Sequence, residues 1–234
     1  MAGHCLRVCW RKRRNPAVSA TATDHSGPAL YGASYRVYVR IARMVLHEKG
    51  VAYRHEPIDI FAPDTVPATY REMHPFNKIP AFVHGDLRLH ETQAITRYVD
   101  EAFTGPALQP ERARDRALMN QVLGIVDAYA YPTLVWDIYV ERSKPERGEP
   151  MNETRIAAAL PRARVCLHTL AKLLAGRDNF GPAGISLADL HLAPVFGYFA
   201  KTADAETLLA DLPELRRWWS RMQQRASWRT ACTD

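Results

Sequence analysis

Residues 74–103, HPFNKIPAFVHGDLRLHETQAITRYVDEAF, restrict the fold more than any other part of the 234-residue chain. Asn77-Lys78-Ile79-Pro80 is a polar turn closed by a proline. Two short strands follow, AFVH and LRLH, joined by Gly85-Asp86, a two-residue hairpin signal. Glu91-Thr92 then opens a helix that carries Ile95, Tyr98, Val99 and Phe103 at helical spacing.

Each device offers something to a small anionic peptide. A proline in a tight turn is a place for a cis bond. There Ile79 would present its backbone N–H and C=O to an extended ligand, as a strand edge does. The helix start offers unpaired N–H groups and a positive dipole end to a carboxylate. The Thr92 hydroxyl adds a donor, and Glu91 an acceptor for an ammonium group. Together these suit a γ-glutamyl peptide. Taken singly, an Ile-Pro step is an ordinary loop and a Thr at a helix start is an N-cap; the information lies in their order and spacing.

The stretch resembles the second half of the thioredoxin-like domain of glutathione S-transferases, whose pattern runs N-P-x-G-K-V-P, a hairpin, then E-S-x-A-I-x-x-Y-L. HPFNKIP and ETQAITRYVDEAF stand in those places, with Asn77 for Gly, Ile79 for Val and Thr92 for Ser. Asn tolerates positive φ better than most residues. The resemblance implies an α/β thioredoxin-like N-terminal domain followed by an all-α C-terminal domain. It implies glutathione as co-substrate, bound by Lys78, Ile79, Pro80, Glu91 and Thr92, with no metal. It further implies a cytoplasmic homodimer that detoxifies electrophilic, mostly apolar small molecules by conjugating them to the glutathione thiolate. Two alternatives share the scaffold: a glutathione- or ligand-binding protein with little turnover, and a glutathione-dependent isomerase, reductase or dehalogenase.

Charge and cysteine usage narrow the partners. The net charge is +6, but residues 1–28 hold Arg7, Arg11, Lys12, Arg13 and Arg14 against Asp24 alone, which leaves only +2 on the rest. That distribution does not describe a nucleic-acid-binding fold. No apolar run approaches the roughly 20 residues of a membrane-spanning helix. Cys5, Cys9, Cys166 and Cys232 show no metal spacing and fit free thiols in a reducing compartment. None falls where a thioredoxin-like active site would lie, so thiol–disulfide exchange through a protein cysteine is not expected.

In chain order, residues 1–28 read as a disordered basic extension, with a transit peptide or an over-extended start as alternatives. Residues 29–32 read as a strand, 35–49 as a helix with Val37, Ile41, Met44 and Val45 on one face, and 51–60 as a second strand. Turns or a short helix lead to the hairpin, so residues 29–104 follow the order βαβ then ββα. Residues 104–110 are the candidate linker and 111–234 an all-helical domain. Its first helix, 111–142, carries Leu118, Val122, Ile125, Tyr129 and Trp136 near helical spacing, with a kink expected at Pro132. A second helix spans 152–175. Ser186 and Asp189 form a capping-box start, read as structural. The last helix starts at Pro213 with Leu215, Trp218 or Trp219, and Met222 facing inward.

Glutathione attacks only as a thiolate, and a free thiol has a pKa of roughly 8.5 to 9. The transferases stabilise the thiolate with a Tyr, Ser or Cys between the first strand and first helix. Here that turn reads LYGASYRVYVR. It is similar to the Y-G-x-x-x-S-V-Y-x-R of bacterial serine-type members, and the alignment puts Arg36 in place of the serine. Three readings follow. Arg36 itself holds the thiolate, since a nearby cation depresses a thiol pKa; Ser34 or Tyr35 supplies a hydroxyl; or the site binds glutathione without activating it. The family's second-substrate pocket lies between the domains, and Tyr35, Tyr129 and Trp136 are its candidate lining here. Neither the electrophile nor the subclass is legible in the sequence.

Overall fold

The computed structural model describes residues 27–61 and 66–233. The expected N-terminal extension therefore lies outside the described residues, except for Gly27 and Pro28. β1 (Ala29–Tyr31) is an inner strand of a four-stranded sheet ordered β2-β1-β3-β4. β2 (Arg54–Glu56) pairs parallel to β1, β3 (Ala81–His84) antiparallel to β1, and β4 (Leu87–His90) antiparallel to β3. Leu30 stands opposite Phe82, and both are fully buried. α1 (Val37–Glu48), α2 (Ala68–Met73) and α3 (Thr92–Ala102) complete the thioredoxin-like domain. The second strand expected over 51–60 is confined to Arg54–Glu56, which pairs with the three residues of β1.

The second domain is helical. α4 (Ala113–Ile125) runs directly into a π-helical stretch, Val126–Val140, and the short α5 (Glu141–Ser143). α6 (Glu153–Leu174), α7 (Leu187–Phe199), α8 (Ala203–Leu208), α9 (Pro213–Gln224) and α10 (Ala226–Cys232) follow. Asn152 caps α6 by accepting from the Arg155 N–H at 3.0 Å. Ser186 and Asp189 form the capping box of α7. Asp189 is fully buried and also accepts from the Phe180 N–H and from Trp218 Nε1, each at 2.9 Å, so its place is structural.

Two expectations for this half need correction. Leu118 is 40% exposed and Tyr129 63% exposed, although the spacing set them on the inward stripe. The buried stripe is Met119, Val122, Leu123, Val126 and Ala130, which meets the i, i+3, i+4, i+7 rule one residue later. Beyond it Pro132, which has no N–H to give, sits inside the widened π-helical stretch and the α-helical phase is lost. Nor is the helix at Pro213 the last. Arg225 leaves helical geometry (ψ 141°) and α10 then packs Ser227, Ala231 and Cys232 inward.

α1 is the shared core of both domains. It packs on α3 from its own domain and on α7 and α10 from the other. Val37, Val39, Ile41, Ala42, Met44, Val45 and Leu46 are all buried. Each larger aliphatic contributes about 1.5–3 kcal/mol by leaving water. The C-terminal helix is latched there: Arg225 bonds Glu48 through two 2.8 Å contacts, and Arg43 donates to the carbonyls of Thr230 and Ala231. The 104–110 segment is likewise fastened. The buried Lys49 ammonium meets Asp100 at 3.1 Å and the Pro106 carbonyl at 3.0 Å, while the Leu187 N–H donates to the Leu108 carbonyl at 2.9 Å. Among the described residues, no helix is long and apolar enough to cross a membrane.

Candidate active site

A cavity of about 690 Å³ opens where the start of α1, the turn before β3, the start of α3 and the π-helical stretch converge. One wall is made by the main chain. The Ile79–Pro80 peptide is cis, and Asn77 (φ 49°) and Glu91 (φ 70°) adopt left-handed backbone. Among the described residues the Ile79 N–H and C=O form no hydrogen bond. The Tyr70 hydroxyl holds this turn from behind, donating to the Lys78 carbonyl at 2.7 Å. Burial raises the Tyr70 pKa, so it stays a donor. α3 begins at Thr92 with no side-chain cap and no acidic residue in its first turn, and Thr92 and Gln93 both line the cavity. Gly32 lets β1 pass behind this wall. A Cβ there would stand 2.5 Å from Val39 Cγ2 and 3.2 Å from Ile79 Cβ. His74 also lines the wall, its pKa lowered by burial first and by the neighbouring His90 second, so its ring is neutral.

The facing wall is made by side chains. The Arg36 guanidinium lies 4.4 Å from the Phe61 ring centroid, 5.7 Å from Trp136 and 5.9 Å from Tyr35. Trp136 meets Tyr131 edge-on at 6.3 Å, and Tyr131 packs on Tyr38 at 4.7 Å. Asp127 joins the walls by accepting from Gln93 Nε2 at 2.7 Å. Its pKa is raised, chiefly by burial, and its Oδ1 is buried without a partner among the described residues. Tyr38, raised by burial and then by Asp127, remains a phenol.

The turn that carries Arg36 is held from the helical domain. Tyr198 on α7 donates its hydroxyl to the Tyr35 carbonyl and stacks on Tyr139 at 4.8 Å. The buried Arg40 donates to the Ser34 carbonyl at 3.4 Å while its guanidinium covers the Tyr198 ring at 5.1 Å. Arg36 is extended (φ −79°, ψ 136°), so α1 starts at Val37 rather than at Tyr35, and Arg36 is its N-cap with no side-chain capping bond.

Of the residues singled out in the sequence, Arg36, Lys78, Ile79, Pro80, Glu91, Thr92 and Trp136 line this one cavity. Ser34, Tyr35 and Tyr129 do not. Tyr35 is 44% exposed and its hydroxyl donates to Asp59 at 3.4 Å; Tyr129 faces solvent. Sequence reasoning missed Tyr38, Phe61, His74, Gln93, Asp127 and Tyr131. One signal was present: Asp127, Tyr131 and Trp136 stand four and five residues apart around Pro132, the spacing of a widened helix rather than an α-helix. The described residues hold no group of three or more His, Cys, Asp or Glu side chains that could take a metal ion. Cys166 is buried, its thiol pushed up to about 12 by burial, and neither it nor Cys232 lines the cavity.

Two family models match the chain: "Glutathione S-transferase, N-terminal domain" over residues 30–107 and "Glutathione S-transferase, C-terminal domain" over residues 128–226. The chain belongs to the glutathione S-transferase family. Glutathione S-transferase F10 of Arabidopsis thaliana is 27% identical over 203 residues, covering 86% of this chain and 92% of the relative. The crystal structure of glutathione transferase F7 from Populus trichocarpa superposes with a TM-score of 0.75 at 27% identity, over 87% of this chain and 97% of that one. A theta class glutathione S-transferase from Xanthomonas axonopodis pv. citri, solved with glutathione bound, gives a TM-score of 0.74 at 25% identity over 89% and 98%. Fold class and family thus agree with the resemblance carried by residues 74–103.

Proposed function

We propose that this glutathione S-transferase-family protein binds glutathione against the main-chain wall and conjugates its thiolate to an electrophile seated against the aromatic wall. The observation that carries the reading is one cavity lined by the Ile79 backbone edge, unpaired among the described residues, the uncapped start of α3 at Thr92, and the Arg36 cation. The peptide backbone of glutathione would pair with Ile79, its γ-glutamyl carboxylate with the Thr92 hydroxyl and first-turn amides, and its ammonium group with Glu91. Lys78 would meet the remaining carboxylate. That a related structure was solved with glutathione supports the assignment. Arg36 would hold the thiolate, since a fixed cation lowers a thiol pKa. Ser34 and Tyr35 supply no hydroxyl to the cavity lining. A homodimer in the cytoplasm with a detoxifying role completes the reading.

A second reading has one observation in its favour: no Ser, Tyr or Cys hydroxyl or thiol stands at residue 36, so the protein would carry glutathione without activating it. Retention on immobilised glutathione, measured beside turnover of an activated aryl halide, separates the two. Conjugation expects retention and turnover, with turnover reduced by Arg36→Ala. Retention alone leaves only the carrier, and absence of both sinks each reading.

A further inference from the structure

We propose that Arg36 also holds the oxyanion formed in conjugate addition, so that the site selects planar aromatic α,β-unsaturated carbonyl compounds over displacement substrates. The inference rests on the glutathione reading above and specifies its electrophile.

The Arg36 guanidinium meets only aromatic rings: Phe61 at 4.4 Å, Trp136 at 5.7 Å and Tyr35 at 5.9 Å. Among the described residues its side chain forms no hydrogen bond and no ion pair, and Arg36 bonds only through its backbone, to Ala33 and Arg40. Stacking occupies the faces of a guanidinium and leaves its in-plane N–H donors to a ligand. Those donors form a planar fork, so two acceptors a few ångströms apart can be bonded at once. Phe61, Trp136, Tyr131 and Tyr38 supply a slot of ring faces and edges suited to a flat aromatic body.

The reaction that uses such a fork moves charge from one acceptor to the other. As the sulfur lone pair forms the bond to the β-carbon, the C=C π pair shifts to join the α-carbon to the carbonyl carbon. The C=O π pair ends on oxygen as an enolate. A proton from water then reaches the α-carbon and the carbonyl re-forms, so atoms and electrons balance with no further reactant. Sulfur loses its negative charge while oxygen gains it, and the two stand within reach of one guanidinium. A serine hydroxyl in the same place has one proton to donate and can serve only one of them. In displacement at a benzylic carbon the charge departs on the halide and no oxyanion forms, so the second half of the fork contributes nothing. Preorganised donors at a developing oxyanion are worth about 10²–10³-fold in rate.

The test uses the full chain with glutathione and two acceptors carrying the same phenyl ring, 4-phenyl-3-buten-2-one and benzyl chloride. Each rate is normalised to its uncatalysed reaction. The native protein is expected to accelerate the enone at least about 10-fold more than the chloride. Arg36→Ser is expected to lose about 100-fold on the enone and about 10-fold or less on the chloride. Arg36→Lys should fall between. Calorimetric glutathione affinity close to native in both variants shows that the site remains folded. Equal losses on both acceptors, or a native enhancement no greater for the enone, overturns the proposal and leaves glutathione conjugation standing. A native protein that fails to bind glutathione overturns both.

Discussion

The two walls of the cavity are built from different materials, and the difference decides what each can do. One wall is main chain: a proline-closed turn, two positive-φ residues and an uncapped helix start, all within residues 77–92. The facing wall is side chains gathered from three places far apart in sequence: Arg36 and Tyr38, Phe61, and Tyr131 with Trp136. On the proposed function, the wall of backbone amides would recognise what every substrate pair has in common, a peptide and a carboxylate. The wall of side chains is free to vary and, on the same reading, would set what the second substrate is.

The contrast yields breakable expectations, taken from the largest effect down. Gly32 supports the main-chain wall by close approach, so Gly32→Ala should cost about 3 kcal/mol of stability through overpacking and positive-φ strain together. Denaturant unfolding checks this, and a loss under about 1 kcal/mol would mean the wall is not tightly backed. Next comes the tie between the domains, where the fully buried His191 on α7 meets Thr96 on α3 at 3.0 Å. Its pKa is lowered to about 3, by burial first and by Arg97 second. Because the unfolded histidine titrates near 6.5, its neutral burial is fully stabilising above that pH and is lost as the pH falls toward 3. The slope should reach about 1.4 kcal/mol per pH unit. His191→Gln should flatten the stability–pH profile in that window; an unchanged slope rejects the assignment.

The smaller effects separate the walls. Thr92→Val should weaken glutathione about 10-fold, the worth of one charge-assisted hydrogen bond, and leave the KM of the electrophile unchanged. Trp136→Ala should do the reverse, raising the KM of an aromatic electrophile about 5-fold through lost burial while glutathione affinity holds. If either variant shifted both parameters equally, the division between walls would fail. Tyr198→Phe should do less still: the turn keeps the Arg40 bond to the Ser34 carbonyl, and kcat should fall about 2- to 3-fold with KM unmoved.

The same contrast explains what the sequence revealed. Backbone devices announce themselves locally: Pro80, Gly85, Asn77 and the Glu91-Thr92 helix start are each a signal within a few residues, and their order was enough to place the fold. The side-chain wall depends on rotational phase across a long helix. Reading that helix as regular put Leu118 and Tyr129 on the inner stripe, whereas Met119 carries it and the π-helical stretch around Pro132 turns Asp127, Tyr131 and Trp136 to the cavity. Phe61 belongs to a loop with no periodicity to read. α10 escaped notice because its seven residues are held by distant partners, Glu48 and Arg43, and not by any local stop or start.

On the proposed function, the two walls meet at a sulfur atom that Arg36 keeps ionised. Titrating the ultraviolet absorbance of glutathione bound to the native protein tests it most directly. A thiolate band at neutral pH is expected, with an apparent pKa at least about one unit below that of free glutathione and a return toward the free value in Arg36→Ala. Glutathione that binds to the native protein yet titrates as it does in free solution would contradict it.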